Sequence, residues 1–176
     1  LASTAAYLAR NGWRSGQAWG TEVVLPDGFS AVGKGTRRST GDWAAAGVRP
    51  INGGALPPGT GSIIRPAGAR GPSFLILDNF RSILRYNNSD NYALGVSYLG
   101  EAIAGRPGIR AAWPRSDRPL TQAERIEIQR LLTRRGFYRD EIDGKIGTGT
   151  MESIAAFQRS IGQPPDGYAT SVLLGQ

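Results

Sequence analysis

Apolar and polar positions divide the chain into a first part that mixes helical with extended spacing and a last part that is helical throughout. Residues 1–11 carry their apolar side chains at amphipathic-helix spacing and stop at Gly12, the residue best suited to the left-handed turn that ends a helix. Three short runs then read as strands: 21–25 (TEVVL), closed by Pro26, then 62–65 (SIIR) and 73–77 (SFLIL). Each is β-branched or apolar and bounded by Gly or Pro. Between the first two lies a short helix, 42–46, with Thr40 as its cap and Gly47 as its end, and the Pro/Gly-rich stretch 52–61 reads as a surface loop. Beyond the third strand, Asp78 is placed to cap a helix over 79–86. A second helix follows Ser89 and runs to about Ala104, with Tyr92, Val96, Leu99 and Ile103 on one apolar stripe.

Residues 106–118 (RPGIRAAWPRSDR) contain two prolines and no periodicity, and read as a linker or an extended strap. The domains are therefore expected at 1–105 and 119–176, with 106–118 between them. In the last part Thr121 and Glu124 have the spacing of a capping box, with Ile128, Leu131 and Leu132 as the apolar face of a helix ending at Gly136. A loop over 137–149 leads to a second helix whose face is Ile154, Phe157 and Ile161, and 170–174 reads as a short third helix. Asp143-Gly144 and Asp166-Gly167 form a weak internal echo, each expected to make the turn that caps the following helix. The fold class predicted is α+β: a small antiparallel or mixed sheet with flanking helices, then a three-helix module.

Composition narrows the chemistry. The 176 residues include no Cys and no His. This removes disulfides, thiolate zinc sites, Cys nucleophiles, Ser-His-Asp triads and His-based zinc sites, so acid–base work falls to carboxylates, Lys or Tyr. No D-x-D-x-D-G loop is present, and neither a metal nor a cofactor is expected. The formal net charge is +7, with 25 Gly and 11 Pro. The surplus lies almost wholly before residue 118, where it is scattered as single arginines, apart from Arg37–Arg38. Scattered arginines of this kind make a solvated surface or meet an acidic polymer such as a cell-wall glycan, and with no aromatic-basic platform a nucleic-acid partner is not expected. No run approaches the ~20 apolar residues of a membrane span. The first residues lack the basic start of a signal peptide and read as the middle of something longer.

Two stretches resemble known families. Residues 120–174 resemble the peptidoglycan-binding domain appended to many cell-wall enzymes, through a QxxLxxxGF helix end (129–137), a DGxxGxxT turn (143–150) and an AFQ helix (156–158). The part before it resembles the C-terminal half of the B-type lytic murein transglycosylases. The matching pieces are YLARNGW (7–13), WGTEVVLPDGF (19–29), DWAAAGV (42–48), GPSFL (71–75) and NFRSILRYNNSDNYALGV (79–96). The resemblance implies a bacterial, periplasmic or cell-envelope enzyme that acts on peptidoglycan glycan strands. Such enzymes cut between N-acetylmuramic acid and N-acetylglucosamine and leave a 1,6-anhydro sugar, with one glutamate serving as acid and then base. The one glutamate here followed by Ser or Thr, Glu152, lies in the part that resembles the peptidoglycan-binding domain. The family's Glu-Ser/Thr motif belongs to a helical lobe before the YLARNGW helix and is not met in the transglycosylase-like residues, and the family's metal loop, where present, lies in the same earlier region. The catalytic group is thus expected upstream of Leu1, in an N-terminal part that would complete the enzyme, and no residue of this chain is assigned as catalytic. The alternative is a peptidoglycan-binding protein without catalysis.

For substrate contact, the resemblance implies Tyr86, Asn87 and Tyr92. An aromatic ring stacks on the C–H face of a sugar, and an Asn carboxamide offers both a donor and an acceptor. On residue type alone, Asn87 and Asn88 read as turn residues, Ser89 as an N-cap and Tyr92 as part of an apolar stripe. The resemblance favours the groove for Tyr86 and Asn87, and leaves both readings of Tyr92 open. Trp13, Trp19 and Trp43 stand beside predicted elements and are expected to pack inside.

Overall fold

The computed structural model describes residues 2–114 and 118–176; Leu1, at the expected start of the first helix, and 115–117, within the expected linker, lie outside the described residues. The chain forms two compact units, Leu1–Pro66 with Pro72–Ala111, and Ala67–Gly71 with Ala112–Gln176.

The first unit opens with α1 (Ala2–Arg10), which ends at Gly12 in the left-handed region at φ 91°. A five-stranded sheet follows, built from β1 (Gly20–Val24), β2 (Arg38–Ser39), β3 (Arg49–Pro50), β4 (Thr60–Ile64) and β5 (Ser73–Ile76) in the order β2-β4-β5-β1-β3. Every pairing is antiparallel, with Thr21 opposite Leu75 and Ile63 opposite the same residue. The two-residue strands β2 and β3 were not expected, because they are too short to show alternation. Between β2 and β3 lies α2 (Thr40–Ala45), and the sheet is followed by α3 (Asp78–Tyr86) and α4 (Asp90–Ile103).

The central strand β5 is buried along its whole length because both faces of the sheet are covered. Phe74 and Ile76 point to one side and join Trp19, Ile64, Phe80, Ile83, Ala93 and Leu94. Leu75 and Leu77 point to the other and join Val23, Trp43, Val48 and Ile63. The period of two along a strand turns one apolar run into two cores. Trp19 and Trp43 are buried, each with its indole N–H donating, to Glu101 Oε1 and to the Gly61 carbonyl, both at 3.0 Å. Trp13 packs at the margin of the first core.

Several local expectations change. Ser39, not Thr40, caps α2, accepting from the Asp42 N–H. Asp78 lies inside the first turn of α3 rather than before it; Leu77 occupies the cap position, and Asp78 pairs with Arg37 instead. Glu22 is buried in β1, where its two carboxylate oxygens accept the Arg110 and Ala111 N–H groups at 2.8 and 2.7 Å. The stretch after α4 is therefore strapped to the sheet through residue 111. Helix α4 also faces inward differently from its stripe. Ala93, Leu94 and Ser97 are buried, whereas Leu99 and Ile103 are 61% and 80% exposed. Both faces of this helix carry apolar residues, and the small side chains of Ala93 and Ser97 allow the closer approach.

The second unit holds the short 3-10 turn Gly68–Arg70, then α5 (Gln122–Arg134), α6 (Thr148–Ser160) and a closing 3-10 turn Ser171–Gly175 where a third helix was expected. Its core joins Ile128, Leu132, Tyr138, Ile154, Phe157 and Leu173, while Ile161 lies outside it. The capping box of Thr121 and Glu124 is formed in both directions. The two Asp-Gly turns are matched in detail but cap no helix directly. Buried Gln129 Oε1 accepts the Gly144 N–H at 2.7 Å, and its amide donates to Asp143 Oδ1 at 3.1 Å. Gln158 does the same for Gly167 and Asp166 at 2.9 and 2.7 Å. Each aspartate also accepts an N–H two residues on, from Lys145 and Tyr168. The Lys145 N–H and then the Gln129 amide lower the pKa of Asp143.

Candidate functional site

The α3–α4 junction is the most exposed concentration of aromatic side chains in the first unit. Helix α3 unwinds at Asn87, whose φ of −143° and ψ of 113° make an extended break, and α4 restarts after Ser89, whose hydroxyl accepts the Tyr92 N–H. That break brings Tyr86 and Tyr92 together, with ring centroids 6.1 Å apart and planes 25° from parallel. Tyr7 of α1 meets Tyr86 edge-on at 5.5 Å, and its hydroxyl donates to the Arg85 carbonyl at 3.0 Å. Tyr86 is 63% exposed and Tyr92 38%. Tyr92 therefore lies outside the core, stacked beside Tyr86, rather than on a buried stripe.

Asn87 is exposed, and its carboxamide has no hydrogen-bond partner among the described residues; only its backbone is used, accepting from the Ser89 N–H at 2.8 Å. The structure thus brings Tyr86, Asn87 and Tyr92 into one exposed face and adds Tyr7, which the sequence did not single out. The signal for Tyr7 was present only as part of YLARNGW, and its placement depends on how α1 lies against α3.

Beside this face, within the same unit, is a cavity of about 510 Å³ between the loop after α1, the loop before β2, and α3. Its walls carry Arg14, Lys34, Arg37, Arg81 and Arg85, with Asp78 as the one carboxylate. Asn79 is fully buried and pins the first loop from beneath: Oδ1 accepts the Arg14 N–H at 2.8 Å, and Nδ2 donates to the carbonyls of Arg14 and Gln17 at 2.9 and 2.8 Å. Arg81 donates to the Lys34 carbonyl at 2.9 Å and to Ser62 Oγ at 3.3 Å. Burial, and then the neighbouring charge of Arg37, lower its pKa against the opposing effect of Asp78. Arg81 and Arg85 stand one helical turn apart on α3, and the two loops that complete the cavity follow no local sequence pattern.

The glutamates occupy structural positions or exposed surface. Glu22 accepts two backbone N–H groups, and Glu101 bonds Trp19 and Arg106. Glu124 pairs with Arg118 and closes the capping box, and Glu127 faces Arg130 and Arg134. Glu141 and Glu152 are exposed in the second unit. Among the described residues no group of three or more His, Cys, Asp or Glu side chains could hold a metal ion.

Comparison with known proteins defines the class. Residues 1–101, more than half of the chain, match the transglycosylase SLT domain family, and the chain belongs to it. Residues 121–176 match a peptidoglycan binding domain. Two particular relatives sharpen the comparison. SltB3 from Pseudomonas aeruginosa, solved in complex with NAG-anhNAM-pentapeptide and with NAG-NAM-pentapeptide, superposes with TM-scores of 0.95 and 0.94 at 47% identity, over 99% of this chain and 48% of that one. Membrane-bound lytic murein transglycosylase B of Escherichia coli (strain K12) is 34% identical over 113 residues, covering 59% of this chain and 29% of the relative. The chain spans about half the length of the first and less than a third of the second.

Proposed function

We propose that this chain serves a murein lytic transglycosylase, supplying part of the glycan groove and a wall-anchoring module. The reaction breaks the bond between N-acetylmuramic acid and N-acetylglucosamine. An acid protonates the departing oxygen, the C6 hydroxyl of the muramic residue closes onto C1, and the same carboxylate, now a base, takes the hydroxyl proton. The observation that carries the reading is the exposed Tyr86–Tyr92 stack with the uncommitted carboxamide of Asn87, in a chain that belongs to the SLT family and resembles a protein solved with murein fragments. A pyranose lays its C–H face on such rings while the carboxamide meets an N-acetyl or hydroxyl group.

The acid–base carboxyl is not one of the six glutamates described above, since none pairs an enclosed apolar pocket with access to this face. Residues 1–105 form the groove part, 119–176 the anchoring module and 106–118 the connection, and the protein works in the bacterial cell envelope, in contact with peptidoglycan. Among the described residues no helix is long and apolar enough to cross a membrane.

The test is direct. Purified chain should sediment with isolated murein and release no anhydro-muropeptides; release would place the catalytic group among these residues after all. Tyr86→Ala should weaken binding of a soluble chitooligosaccharide by about 1–3 kcal/mol if the ring stacks on sugar. Unchanged affinity would remove Tyr86 from the groove.

A further inference from the structure

Helices α3 and α4 meet at a break, residues 87–89, whose one internal backbone bond runs from the Ser89 N–H to the Asn87 carbonyl. Core packing on α4 begins only at Ala93 and Leu94. The turn between, Asp90 to Tyr92, carries the ring that stacks on Tyr86. A side chain 56 residues earlier reaches it: Lys34 Nζ, in the loop before β2, pairs with Asp90 Oδ1 at 3.0 Å. A lysine at the end of a loose loop would fix nothing, but this loop is itself anchored. The Lys34 carbonyl accepts from Arg81 Nη2 on α3 at 2.9 Å and from Ser62 Oγ on β4 at 3.1 Å. Ser62 is fully buried, and the Gly33 N–H donates to the Ile63 carbonyl at 2.7 Å. Three residues on, Arg37 pairs with Asp78 in the first turn of α3 at 2.7 Å and donates to the Thr60 carbonyl at 3.2 Å. The loop is thus laid against the sheet and α3, and Lys34 extends from that anchorage to the start of α4.

We propose that Lys34 is a positioning residue for the tyrosine face: through Asp90 it holds the first turn of α4, and with it the placement of Tyr92 against Tyr86. The inference rests on the glycan reading above and deepens it, because it makes the grip on an uncharged sugar depend on an ion pair. The Lys34 and Asp90 side chains are 42% and 31% exposed, so salt reaches the pair. The screening length shrinks from ~10 Å at ~0.1 M salt to ~3 Å at ~1 M. A neutral oligosaccharide carries no charge for salt to screen, so a salt dependence of its binding that one lysine controls reports on the protein.

Two readouts on the full chain decide it. Hydrogen exchange of the amides in 88–94 follows the first turn of α4 with no ligand present, and calorimetric titration with chitotetraose follows the face in use. Lys34→Met should speed exchange in 88–94 about threefold, the scale of one half-exposed ion pair, and weaken chitotetraose binding by a similar factor. The amides of β5 should exchange as before. In an Asp90→Asn background the same substitution should change neither quantity, since the partner is already gone. Raising NaCl from ~0.1 to ~1 M should reproduce both effects in the native chain but not in Lys34→Met. Unchanged exchange in 88–94 overturns the positioning role, and so does exchange that speeds equally in β5. An effect of Lys34→Met that is the same with and without Asp90 overturns it too, as does faster exchange with chitotetraose affinity unaltered. If the native chain fails to bind chitotetraose, the glycan reading falls, and the exchange measurements still decide whether Lys34 holds the turn.

Discussion

Single side chains here act through the backbone groups they satisfy. The Glu124 carboxylate is the clearest case. Its bonds from Arg118 first, and then from the Thr121 N–H, hold its pKa down to about 2. A carboxylate depressed in the folded state adds stability that is fully present above the unfolded value of ~4.3 and is lost as pH falls toward the folded one. The melting temperature of Glu124→Gln should therefore lie below that of the native chain at neutral pH, and the gap should close as pH falls from ~5 toward 2. A gap independent of pH would show that the charge plays no part. This capping box was legible from Thr121 and Glu124 alone, because it is a local pattern. The partner Arg118 was not, since a side chain that folds back from outside the helix follows no fixed spacing. The same contrast separates Ser89, read correctly as a cap, from Asp78, whose carboxylate is drawn out of the cap role by Arg37.

Elements depend on contacts that no single segment contains. In the second unit the matched pairs Gln129 with Asp143-Gly144 and Gln158 with Asp166-Gly167 tie each helix to the turn that follows it. Gln129→Met keeps the volume but leaves the Gly144 N–H and the Lys145 carbonyl without their buried partner. It should cost about 1–3 kcal/mol in urea unfolding of this unit; a loss well below that range would mean that water replaces the amide. The Asp-Gly echo and both glutamines stood in the sequence motifs, yet their pairing was not legible, because each glutamine meets its turn only once the loop that follows the helix folds back onto it. Helix α4 shows the opposite failure. Its existence and limits followed from Ser89 and Gly105, but the stripe chosen by periodicity is the outward one. A helix with apolar residues all round has no inward face until something packs on it, and that ambiguity is why Tyr92 could be read either as core or as surface.

At the scale of the whole molecule, the sheet of the first unit is the frame to which the other pieces of that unit are fixed. Glu22, in the sheet's interior, is the strap that holds Arg110 and Ala111. Glu22→Gln keeps the size of the side chain but replaces one acceptor with a donor facing an N–H. Tryptic cleavage at Arg110 should accelerate severalfold, while the melting of the sheet core changes less; unchanged cleavage would mean that the strap is held by other contacts. The strap lies within 106–118, the stretch read as a linker or an extended strap; its anchor was not legible, because a carboxylate on a strand carries no sign of which distant N–H groups it will meet. The sequence by itself determined the elements that local physics controls: the helices with their caps and glycine ends, the three longer strands, and the absence of His and Cys that confines the chemistry. Its motifs also carried the family resemblance and placed Tyr86, Asn87 and Tyr92 in one short segment. Only the tertiary structure decided which face of α4 is buried, that Tyr86 stacks on Tyr92 and meets Tyr7 edge-on, and that arginines from two loops and one helix converge on a cavity. Those outcomes are set by residues far apart in the chain, whose meeting depends on how the helices settle on the sheet.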